Sequence, residues 1–250
     1  MNRVLQYDIF KIKKSKYVWI STLVALFISI LALTVTIYAS KNGKYIKIGV
    51  EQYFHVLFDS ISPLIFSIIV GIFVGSDFKN GTIKNIASKG ITRDKIVFSK
   101  TILSFILAII FILVHVIFGI LIILTMSNQS ITYSAMLILF RGLFLSILSF
   151  FAYSSIYIFI AFLVRSSGIS IAISIAVNAI LPTIALLIDS LIIRSERLYA
   201  SNVMPSFVSN FFKQNTIDTQ QMIIYVVAMI VEIVVLYLLT DVLMKKRDIK

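Results

Sequence analysis

Long runs of apolar residues alternate along this chain with short stretches into which nearly all the charge is gathered. About 20 helical residues cross a bilayer core of about 30 Å, and apolar stretches of that order with little or no charge occur six times. Spans are therefore expected at residues 17–39, 54–77, 100–125, 136–164, 167–189 and 221–242. No Asp, Glu, Lys or Arg occurs from Thr101 to Phe140, and the polar break TMSNQSITYS divides that run in two. The first span is too long for the apolar core of a removable signal peptide and lacks a clear cleavage site. The pattern predicts an all-α integral membrane protein, a single transmembrane domain over residues 1–250.

The segments between the spans are uneven. In residues 1–16, Val4, Leu5, Ile9 and Ile12 recur at helical spacing with lysines behind them, which reads as an interfacial helix on the inner leaflet. Residues 190–220 mix apolar pieces with Pro205, Ser and Asn, as short helices dipping into the outer leaflet would. Residues 78–99 lie within the stretch GSDFKNGTIKNIASKGITRDKIVFSK. There Asn80 and Gly81 can start a short helix and Gly90 can end it. Ile83, Ile86 and Ala87 form its apolar face, flanked by Lys84 and Lys89. Thr92 then caps the next helix, with Arg93, Asp94 and Lys95 in its first turn. A helix so short needs something to pack against, either the membrane surface or a protein surface.

Composition agrees with the pattern: 59% of residues are hydrophobic and 14% charged, where soluble domains carry about 25% charged, and the mean hydropathy is +1.01. The net charge of +12 does not indicate nucleic-acid binding, because the basic residues sit at the edges of apolar runs. There they suit anionic lipid headgroups and the positive-inside rule. Arg3, Lys11, Lys13, Lys14 and Lys16, the lysines of 78–99, Lys100, Arg165 and the basic carboxyl terminus fall on one side, so both termini are expected in the cytoplasm. Cysteine is absent, and His55 and His115 are too few for a histidine metal cage. No HExxH, Gly-x-Ser-x-Gly or phosphate-binding G-x-x-x-x-G-K-[ST] sequence occurs, so neither a membrane hydrolase nor an ATPase is expected.

Two ionisable groups fall near the middle of spans. Glu232 lies about 14 to 17 Å from either end of the last span at 1.5 Å per residue, and His115 sits at similar depth in the third. A charged carboxylate there costs several kcal/mol unless paired or wet, roughly. Either the two meet at a subunit interface and line a transport path, or each is satisfied separately. Asn178 and Pro182 mark a kink in the fifth span, and Arg141 and Asp189 are placed to pair near the outer ends of spans four and five.

The charged stretch also carries a resemblance. Asp77, then Gly81-Thr82-Ile83-Lys84, Thr92-Arg93 and Lys100 resemble the pattern of ABC-2 type ABC transporter permeases, and ITRDKIVFSK is similar to their bacitracin- and lantibiotic-immunity branch, which includes peptide and toxin exporters such as those of phenol-soluble modulins. The resemblance extends to architecture: an interfacial helix, six spans and a large outer segment, as in type V exporters. It implies that residues 78–99 form a coupling loop, with Asp77, Asn80, Gly81, Thr82, Ile83, Lys84, Ile86, Lys89, Gly90, Thr92, Arg93, Lys95 and Lys100 linking the spans to a cytoplasmic ABC ATPase. It further implies ATP and magnesium in that partner and no cofactor in this chain, a second copy or a related permease beside it, contact with membrane lipids, and an amphipathic peptide, antimicrobial peptide or lipid-like cargo leaving a bacterial plasma membrane. Two alternatives stay open: a non-transporting scaffold or sensor subunit, and a secondary transporter using Glu232.

Overall fold

The computed structural model describes residues 2–41, 62–126, 133–191, 200–212 and 219–246. Helix α1 is Asn2–Lys14, α2 Lys16–Lys41, α3 Ser62–Lys79, α4 Thr82–Ser88, α5 Arg93–Met126, α6 Tyr133–Val164, α7 Ser167–Leu191 and α8 Thr219–Lys246, with two 3₁₀ helices, η1 (Ala200–Val203) and η2 (Pro205–Phe212), between α7 and α8. Among the described residues there is no strand, and six helices are long and apolar enough to cross a membrane. The expected start of the second span near Phe54, His55 and the polar break at 127–132 lie outside the described residues.

Helices α3 and α6 hold the centre of the bundle, and α2, α5, α7 and α8 pack around them. Their shared core is aromatic: Phe66 of α3 meets Phe111 of α5 at 5.4 Å and Phe150 of α6 at 5.1 Å between ring centroids. Tilted and edge-on rings fill space with favourable quadrupole geometry. Spans in a membrane have little hydrophobic drive toward one another, so close packing must replace it. The tightest crossing is α3 on α7. A methyl group added at Gly71 would come within 2.6 Å of Ile171, and one at Gly75 within 2.5 Å of the Ser167 backbone. Gly71 and Gly75 stand four residues apart, so they open one face of α3 to the approaching helix.

Helix α1 is amphipathic as expected, but its faces are apportioned differently. Val4, Asp8 and Ile12 form the buried stripe, while Ile9 points outward with Tyr7 and Phe10. Positions 4, 8 and 12 lie one turn apart and so share one face; Ile9 does not join them.

The described part of the segment between α7 and α8 does contain short helices, and they fold onto the chain itself. Val208 and Phe211 of η2 are buried, and the Pro205 carbonyl accepts hydrogen bonds from Ser149 Oγ (2.9 Å) and Tyr225 Oη (3.2 Å). Asp189 does not serve Arg141; its carboxylate accepts the backbone amides of Ala200 and Ser201, capping η1. Helix α7 runs unbroken through Pro182.

Substituting Gly75 by Val should force α3 and α7 apart and destabilise the detergent-solubilised protein by about 1–3 kcal/mol. Gly168→Ala, which meets open space, should stay within about 0.5 kcal/mol. Equal melting temperatures for the two variants would refute the close crossing.

Candidate functional site

The residues that flank the short α4 loop meet beneath it. Asp77, in the last turn of α3, and Lys100, two turns into α5, are both fully buried and joined by an ion pair. Lys100 Nζ also reaches Asp8 Oδ1 of α1 at 2.5 Å, and Ser99 Oγ donates to Asp8 Oδ2 at 2.8 Å. Lys11 of α1 completes the group: its Nζ lies 2.7 Å from Asp77 Oδ1 and donates to the Phe73 carbonyl (2.6 Å) and to Ser76 Oγ (2.8 Å). Both ammonium groups lie near the Phe73 ring, 5.2 and 4.8 Å from its centroid, within cation–π range. Burial pulls the Lys11 amine below the ordinary lysine value, and the Asp77 carboxylate beside it opposes the fall.

Two aspartates and two lysines thus neutralise one another where three helices join. Such a group is fragile to partial removal, because deleting one member leaves an uncompensated buried charge. Asp8 and Lys11 drew no notice as partners from the sequence. The available signal was the helical period: Asp8 stands one turn from both Val4 and Ile12, on the stripe those residues bury.

Helix α4 sits on this joint. Its start differs from expectation, because no side chain caps it and Gly81 occupies the first position with φ 67°. Gly81 ends α3 as much as it begins α4: its amide bonds the Phe78 carbonyl at 3.1 Å, and the Asn80 amide bonds that of Ser76 at 2.9 Å. A left-handed residue is what the chain needs to reverse there, and glycine adopts it freely. Gly90 closes the other end as expected, with φ 79° and its amide on the Ala87 carbonyl at 3.0 Å. Thr92 directly precedes α5, and its carbonyl accepts the amide of Ile96 at 3.4 Å.

The apolar face of α4 is already used. Ile83 is 1% exposed, and Ile86 and Ala87 pack against the protein's own core. Ile83 is therefore not offered to a partner; with the inner side of Ile86 it anchors α4 to the bundle. What α4 and its flanks turn outward is polar and basic: Lys84, Asn85, Ser88, Lys89, Thr92 and Lys95 are exposed, while Thr82 is half-buried. Arg93 reaches sideways to the last helix, its guanidinium donating to the carbonyls of Met244 (3.0 Å) and Lys245 (2.9 Å). A cation there also suits the negative end of the α8 dipole. The third span accordingly starts as helix at Arg93, before residue 100, which makes Lys100 a buried member of it.

His115 and Glu232 occupy different surroundings. His115 is 1% exposed, its Nδ1 is 2.7 Å from the Phe111 carbonyl, and the backbone of Ala25 in α2 is a further hydrogen-bond partner. So deep inside one chain, it has no surface to present at a subunit interface. Glu232 is half-buried midway along α8 and lines a cavity with Tyr153, Asn178 and Pro182. His115 is not among the residues of that cavity. Among the described residues no cluster of His, Asp or Glu is suited to hold a metal ion.

A family model described as ABC-2 family transporter protein matches residues 4–180. The chain belongs to the ABC-2 transporter family. Members of this family are transmembrane subunits, not the catalytic ATPase, and generally work with ABC ATPase subunits. No curated protein matches the chain. The matched residues of this ABC-2 chain take in the ion cluster, α4 and His115, and end before η1, η2 and Glu232.

Replacing Lys100 by Met should destabilise this ABC-2 protein by about 3–5 kcal/mol. Adding Asp8→Asn, which restores neutrality, should recover part of the loss. Strictly additive effects of the two changes on the melting temperature would show that the cluster does not act as one unit.

Proposed function

We propose that the chain is the permease subunit of an ATP-driven ABC exporter in a bacterial plasma membrane, with α4 as the element that meets the ATPase. The observation that carries this reading is the brace under α4: a solvent-facing, basic helix is fixed at both ends to spans α3 and α5 through Asp77 and Lys100. A surface so braced passes a push to the spans with little slack. The partner surface would be acidic and polar, complementary to Lys84, Asn85, Ser88 and Lys89. Helix α1, α4 and the end of α8 share one basic end of the bundle, and the positive-inside rule assigns that end to the cytoplasm.

The working unit in this reading pairs the chain with a second copy or a related permease, and each carries an ATPase that binds ATP and magnesium. The cargo is an amphipathic peptide, antimicrobial peptide or lipid-like molecule expelled from the cell or membrane, a step taken by analogy with the peptide-immunity branch. Glu232, a carboxylate at mid-span, favours a second reading in which the chain is a secondary transporter carrying protons.

Affinity purification from native membranes separates the two. An ATP-binding protein should co-purify, and Lys84→Glu with Lys89→Glu should release it while leaving the melting temperature nearly unchanged. Retention of the ATPase by this double variant would overturn the docking face, and transport driven by a proton gradient without any ATPase would favour the second reading. Because the chain lacks cysteine, Lys84→Cys provides a unique label site. A membrane-impermeant maleimide should modify it in inside-out vesicles and not in intact cells.

A further inference from the structure

Helices α7 and α8 both pack on α6 rather than closely on each other, and η1 bridges them at one end. The cleft between them holds a cavity of about 360 Å³, within the size range of small-molecule sites. Tyr153 of α6 contributes to the floor, Asn178 and Pro182 of α7 to one wall, Glu232 of α8 to the other, and Ser206 to the bridge. The remaining lining is predominantly aliphatic, and the outward faces of α7 and α8 on either side are apolar.

Three polar groups belong to residues that line this apolar space. Among the described residues, Glu232 Oε2 has no hydrogen-bond partner, and no Lys, Arg or His lines the cavity to neutralise it. The Asn178 backbone carbonyl lacks its usual intrahelical donor, because the residue four positions on is Pro182, which has no amide hydrogen. The Tyr153 hydroxyl, hydrogen-bonded to Ser206, is the third. The Asn178 side chain is committed elsewhere: it donates to Tyr157 Oη, which itself donates to the Pro63 carbonyl at 3.1 Å. A carboxylate at this depth is costly without a counter-charge, and none of the described residues that line the cavity supplies one. An ammonium group brings the charge and three donors, and an attached alkyl chain matches the aliphatic walls.

We propose that the α6–α7–α8 cleft is a binding site for an amphipath with a protonated primary amine, its ammonium paired with Glu232 and its alkyl chain along α7 and α8. Binding needs no ATPase, so the site stands or falls independently of the exporter reading.

The test uses the full chain in phosphatidylcholine nanodiscs and a dodecylamine analogue with a diazirine in its chain. After photolysis, labelled residues should fall on α6, α7 and α8. Dodecylamine should compete at least tenfold better than dodecanol, and Glu232→Gln should remove that advantage while leaving dodecanol competition unchanged. Ala228→Leu, which fills the cleft, should block both competitors. Competition by phosphatidylethanolamine as strong as by dodecylamine would identify a lipid amine as the source, and its absence a single-chain amphipath. Equal competition by amine and alcohol, an unchanged amine advantage in Glu232→Gln with native melting temperature, or labelling spread over α2 would overturn the proposal.

Discussion

Lys100 lies between Asp8 and Asp77 with no access to solvent, and the basic end of the molecule is organised around that placement. Its two carboxylates come from α1 and α3, and Lys11 returns the compliment from α1 to Asp77. Desolvating four charges is expensive, and the cost is offset only if each finds an opposite partner and further hydrogen bonds. That demand for completeness couples the helices: α1 cannot leave without exposing Lys100, and α3 cannot shift without parting from both lysines. The amphipathic amino-terminal helix is in this way a component of the bundle.

The α4 loop inherits its rigidity from the same group. A seven-residue helix is too short to persist alone, but this one is closed by left-handed glycines, buries Ile83 and spans the gap between two helices tied by Asp77 and Lys100. Arg93 adds a tie to α8. Movement of α4 would therefore be shared by α1, α3, α5 and α8, which is what an ABC-2 subunit needs if a separate ATPase is to act on it. Elsewhere the construction differs: α7 and α8 stand apart on α6, and the gap is bridged by η1 and lined by Glu232, whose Oε2 has no hydrogen-bond partner among the described residues.

Much of this was legible in the chain. Apolar runs of bilayer length with little or no charge set the helices, because a backbone in lipid must satisfy its own hydrogen bonds. Gly90 announced a helix end, and the Asp77–Lys100 motif announced the family. The use of the α4 isoleucines was not legible. An apolar face at helical spacing says only that something covers it, and here the cover is the same chain. Asp8 read as one more polar residue of a surface helix, although its spacing from Val4 and Ile12 carried the hint. The spacing of Gly71 and Gly75 was equally visible, but the helix that would approach them was not.

What the sequence by itself determined is what local forces determine: how many helices, how long, where each turns, and which segments can lie in hydrocarbon. Only the tertiary structure decided which charge meets which, that His115 and Glu232 have separate neighbours, and that Asp189 caps η1 instead of pairing with Arg141. Apolar spans are nearly interchangeable to the lipid around them, so hydropathy carries little information about their order of packing. That order follows from close approach at small residues and from the rare buried polar groups, whose partners lie far away in the chain.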